Sequence, residues 1–86
     1  HINLAAIEEA MLQVKEVEAV HDLHVWTITS GMEALSAHIV LREDRQPRSA
    51  AAVLEAVSAL LKQKFGIDHS TIQIEHSSRM EKEMQH

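Results

Sequence analysis

From Val17 to Leu41 the chain gives up helical spacing for alternation, and one glycine-bearing turn divides the run. In His21-Asp22-Leu23-His24-Val25-Trp26-Thr27-Ile28-Thr29, Leu23, Val25, Thr27 and Thr29 make one row. His24, Trp26 and Ile28 make the other, as in a strand whose successive side chains point to opposite faces. Ser30-Gly31 then reads as a hairpin turn, Gly31 supplying the positive φ that a right-twisted hairpin requires. In the second arm, Glu33 to Leu41, the apolar row is Leu35, Ala37, Ile39 and Leu41, while Ser36, His38 and Val40 face the other way. An amphipathic hairpin of this kind needs a cover for one face. On its other face imidazoles stand on both arms, which is a plausible start for a metal site. A three-residue loop pairs His24 with His38 and a two-residue loop pairs Leu23 with it; the residues alone leave both open.

The flanks supply the cover. Leu4, Ile7, Met11 and Val14 recur at helical spacing, with Ala10 widening the stripe and Asn3 placed as N-cap. That helix fades by Glu16 to Glu18, where Val17-Glu18-Ala19-Val20 has turned to alternation. Arg42 to Arg48 is the one long loop, and Pro47 suits the first turn of a second helix. Val53, Leu54, Val57, Leu60, Leu61 and Phe65 form one face of that helix, and Gly66 stands where a C-terminal cap belongs, with Ile67 folding back. Thr71 to Glu75 is a third strand, Ile72 and Ile74 inward, Thr71, Gln73 and Glu75 outward. Both helices carry a single apolar stripe, so both should lie on one face of a three-stranded sheet. The expected fold is a two-layer α+β domain, αββαβ, of the ferredoxin-like or metallochaperone-like kind. It spans residues 1–76, and 77–86 read as a polar tail, flexible or a solvated helix.

Composition narrows the function. With 86 residues there is one domain and a small core, for which a metal or a second subunit is a natural support. Lack of cysteine excludes disulfides and thiolate zinc sites. Eight basic against thirteen acidic residues, and one tryptophan with no tyrosine, argue against nucleic acid as a partner. With two glycines, no phosphate loop and no cysteine nucleophile, the chain does not read as an enzyme. No apolar run approaches the ~20 residues that span a bilayer, and no signal-peptide pattern opens the chain, so the piece as given reads as soluble.

His21-Asp22-Leu23-His24-Val25-Trp26, then Ala37-His38-Ile39-Val40, then His69-Ser70-Thr71-Ile72-Gln73-Ile74-Glu75 resemble, in order and spacing, the C-terminal cytoplasmic domain of cation diffusion facilitator transporters. The resemblance runs from Leu4 to Glu75 and is strongest to the zinc/cobalt/cadmium-resistance branch. It implies a metal-sensing regulatory domain that forms a V-shaped homodimer and binds Zn2+, with Co2+ and Cd2+ as other divalent cations. It also implies continuity with a multi-pass transport domain, of cation/proton antiporter type, at the cytoplasmic face of the cell (inner) membrane. A stand-alone metallochaperone is the alternative.

Residue by residue, the family's site histidine at the start of the first strand is matched by His21, that in the middle of the second by His38, and its acidic ligand at the end of the last by Glu75. Two imidazoles, a carboxylate and a water make a suitable tetrahedral zinc set. Two further family ligands fall on Ala51 or Ala52 and on Gln73, so a binuclear site lacks them; His24, His69 and His76 are the spare imidazoles, His24 first among them. Each has a plainer reading too. His24 is a solvent-facing strand residue, His69 caps the loop into the third strand, and His76 sits in solvent. Asp22 either orients an imidazole or caps the start of the strand, and Trp26 is packing or a dimer contact.

Overall fold

The computed structural model describes residues 3–42 and 49–77. In chain order it has α1 (Leu4–Leu12), β1 (Val17–Thr29), β2 (Met32–Leu41), α2 (Ala50–Phe65) and β3 (His69–His76). The sheet order is β1-β2-β3, with β1 antiparallel and β3 parallel to the central β2. The expected αββαβ arrangement is the observed one.

Local chemistry sets the ends of both helices. The Asn3 side chain accepts from the Ala6 N–H at 3.2 Å, and Ser49 Oγ accepts from Ala52 N–H at 3.1 Å. The second helix thus starts after its serine cap; Pro47, expected in its first turn, lies outside the described residues, as do 43–48 of the loop and 78–86 of the tail. Gly66 ends α2 in the left-handed conformation, φ 70°, and the N–H groups of Gly66 and Ile67 return to the carbonyls of Lys62 and Leu61. Ile67 is thereby buried, as its position after the cap suggests.

One cluster holds the layers together. Ile7 and Met11 of α1 and Val53, Val57 and Leu61 of α2 meet Leu35, Ala37, Ile39 and Leu41 of β2, with Val17 and Ile67 at its edges. Both helices therefore cover the same sheet face. Leu23, Val25, Ile72 and Ile74 pack against this cluster from the flanking strands, as their alternation requires. Val40 departs from expectation. It lies on the uncovered face yet is 3% exposed, because β2 is central and Ala19 and Glu75 flank it in register. The exposed apolar side chains on and around the hairpin tip are Trp26, Ile28 and Met32.

The hairpin register matches neither of the two alternatives. Thr29 pairs with Met32, so Ser30-Gly31 is a two-residue loop, with Gly31 at φ 77°. That loop alone would set Leu23 against His38. Instead β1 carries irregularities between Thr27 and Thr29 and between His21 and His24, each adding a residue, and His38 pairs with His21. At the second bulge Asp22 and Leu23 together oppose Ala37, and Asp22 has φ 52°.

Candidate metal centre

The uncovered face of the sheet can be read in cross-strand rows. Ala19, Val40 and Glu75 make one; His21, His38 and Gln73 the next; His24, Ser36 and Thr71 a third; Trp26, Ala34 and His69 a fourth. Side chains directly opposite in a sheet have Cβ atoms roughly 5 Å apart, so His21 and His38 are neighbours on this face.

His38 is where the functional groups meet. Its Nδ1 lies 3.2 Å from Glu75 Oε2 and 3.9 Å from Asp22 Oδ2. A carboxylate only accepts, so in the metal-free contact the ring nitrogen carries the proton. Glu75 is further held by Gln73, whose Nε2 donates to the same Oε2 at 3.3 Å. Gln73 and Glu75 are two apart on a strand and share the outward face, as the alternation of β3 requires. The side chains of His38 and Glu75 are 37% and 24% exposed against 69% for Asp22, so the pair is half-shielded while Asp22 approaches from solvent.

Beside this pair is a shallow cavity of about 290 Å³ lined by Asp22, His24, His38, Ser36, Thr71 and Gln73. His24 is thus near His38 without being its cross-strand partner. His69 and His76 stand apart. His69 opens β3 against Ala34, about 13 Å along the strand from Gln73 at 3.3 Å per residue. His76 closes β3 in the row of Ile72 and Ile74, on the opposite face of the sheet, and is half-buried rather than in solvent. The two cannot make a common site. Among the described residues no three His, Asp or Glu side chains are gathered into a ready ligand set; the formed element is the His38–Glu75 pair.

The donors nevertheless suit zinc. Bonds of 2.0–2.1 Å at tetrahedral angles put neighbouring ligand atoms about 3.3 Å apart, and His38 Nδ1 to Glu75 Oε2 is 3.2 Å. With the imidazole proton on Nε2, Nδ1 and Oε2 could keep this separation on one ion, the ring and the carboxylate turning so that their lone pairs converge on it. His21 is exposed and stands opposite His38 on the neighbouring strand.

Comparison with known proteins follows the same lines. Residues 1–77 match the family model described as the cytoplasmic domain of cation efflux protein. Metal tolerance protein 1 of Arabidopsis thaliana is 38% identical over 74 residues, 86% of this chain and 18% of that protein. The metal cation efflux system protein CzcD of Cupriavidus metallidurans is also 38% identical over 74 residues, 86% of this chain and 23% of that one. The chain therefore spans about a fifth of the length of the curated relatives it matches. Among solved structures, the metal-bound C-terminal domain of the CzcD transporter superposes with a TM-score of 0.75 at 38% identity, covering 86% of this chain and 99% of that domain.

Proposed function

The chain belongs to the cation efflux protein family, of which it is a cytoplasmic domain, and on that premise we propose that it senses a divalent cation, zinc above all, for an efflux transporter. The observation that carries this reading is the His38–Glu75 pair, set at the spacing of two ligands on one ion, with His21 opposite His38. His21, His38 and Glu75 are the ligands proposed, His24 the substitute, and water completes the set. Each of the three stands on a different strand. When bound, zinc supplies a divalent charge that ties both outer strands to the central one. The residues themselves provide the rest: Gln73 donates to Glu75, and His38, which holds its ring against Glu75 in the Nδ1–H tautomer, would ligate through Nδ1 with its proton carried on Nε2 instead.

In the whole transporter, proposed to be a cation/proton antiporter, residues 1–76 would act as the regulatory domain at the cytoplasmic face of the cell (inner) membrane, with 77–86 as its tail. Among the described residues no helix is long and apolar enough to cross a membrane. Cobalt and cadmium are secondary cargoes of the same chemistry, since nitrogen and oxygen donors accept them too. No catalysis is assigned to the domain.

Titration calorimetry tests the reading. At least one zinc per protomer should bind at pH 7.5, and affinity should fall as the solution is made more acidic, because protons compete for the ligating nitrogens. No zinc heat at pH 7.5 would dismiss it. The domain is also proposed to be a homodimer, supported by its small core and by exposed Trp26, Ile28 and Met32. Sedimentation should give twice the protomer mass at micromolar concentration; a monomer with and without zinc at high micromolar concentration would remove this part.

A further inference from the structure

Asp22 is the only described residue other than glycine with a positive φ. Left-handed backbone is costly for a residue with a Cβ, and aspartate is among the few that tolerate it. It is also the backbone that the first residue of a common type of β-bulge adopts, usually with glycine there. The bulge it makes has a definite consequence for the face of the sheet. Above it His24, Val25, Trp26 and Thr27 pair with Ser36, Leu35, Ala34 and Glu33 in one register; below it Val20 and His21 pair with Ile39 and His38 in a register one residue different. Without the extra residue the upper register would continue. His21 would then oppose Ile39 and enter the helix-covered face, and Val20, which packs on the core, would turn outward.

We propose that Asp22 is a positioning residue of the metal centre, acting through its left-handed backbone: the bulge it makes is what brings His21 onto the same face as His38, His24 and Glu75. This rests on the metal-site reading above. The carboxylate, 69% exposed and 3.9 Å from His38, is secondary in this role. The apolar pattern supports the same register, since it keeps Val17 and Val20 inward while both flanking imidazoles stay outward.

A substitution series separates backbone from carboxylate. Asp22→Gly keeps the left-handed conformation without its penalty, Asp22→Asn keeps it without the charge, and Asp22→Val removes both tolerance and charge. Zinc affinity should stay within about threefold of the native value in the glycine and asparagine variants and fall at least tenfold in the valine variant. Asp22→Gly should also raise the metal-free Tm by roughly 5 °C. Cross-strand backbone NOEs between His21 and His38 should persist in the glycine and asparagine variants. A glycine variant that loses zinc as fully as valine would make the carboxylate a ligand and overturn the proposal. So would a glycine variant with a lowered Tm or lost His21–His38 NOEs, and this arm decides even if the valine variant does not fold. His38→Ala serves as the control: native zinc affinity there would bring down the metal-site reading, while the NOEs and Tm of Asp22→Gly would still judge the bulge.

Discussion

In the His38→Ala protein, zinc should no longer raise the melting temperature appreciably. Loss of an outer partner of a metal ligand already costs 10–100-fold in affinity, so loss of the ligand proposed for the centre of the site should cost at least about a hundredfold. At a zinc concentration a hundred times the native dissociation constant, mass action stabilises the native domain by roughly 2.7 kcal/mol, and a hundredfold weaker variant by only about 0.4 kcal/mol. For a domain of this size that is a rise of roughly 11–22 °C against one of about 2–3 °C. The metal-free fold should hardly notice, because the His38 side chain is 37% exposed on the face away from the helices. His69→Ala should keep almost the whole rise, its imidazole standing four residues along β3 from the His38 row. Differential scanning calorimetry with and without zinc reads both. Equal rises in the native and His38→Ala proteins would place the metal elsewhere.

The second large effect is on the fold itself. Ile39 is 0% exposed at the middle of the central strand, between Val20 and Ile74, and meets both helices through the common cluster. Ile39→Ala should cost about 2–5 kcal/mol. At about 0.05–0.15 kcal/mol per residue, that is a large share of the stability such a domain has, and urea unfolding should show the midpoint falling sharply or the transition vanishing. Val40→Ala provides the comparison. Val40 is nearly as buried, yet it lies between Ala19 and Glu75 on the uncovered face and outside the cluster. Its loss should be clearly smaller. Equal losses would mean that the helices do not supply the main packing.

Much of this was legible in the residues. Asn3, Gly31 and Gly66 announce their caps and turn because only a few side chains do those jobs, and a single stripe on each helix leaves only one way to cover a sheet. Glu75 was readable as outward-facing from alternation in β3 alone. The position of His21 was not. By strict alternation it joins Leu23 in the inward row, and only the bulge at Asp22 turns it outward. A bulge leaves little trace in a sequence, since aspartate between two histidines serves equally as a cap or an orienting carboxylate. The burial of Val40 was hidden for a different reason. It depends on which strand is central, a property of the whole sheet rather than of any local run.

The parallel pairing of β3 with β2 also has a consequence in time. His21 and His38 belong to a local hairpin closed by two residues, a unit of the kind that forms in microseconds. Glu75 reaches them only after α2 has carried the chain back along the sheet, and such non-local pairing is the slow part of folding. On these rules the two imidazoles should be in place early and the carboxylate last. An ion that needed all three would meet them only in the nearly finished domain, so its grip would act on the rate at which that domain comes apart, while the rate at which it assembles would be left to the chain.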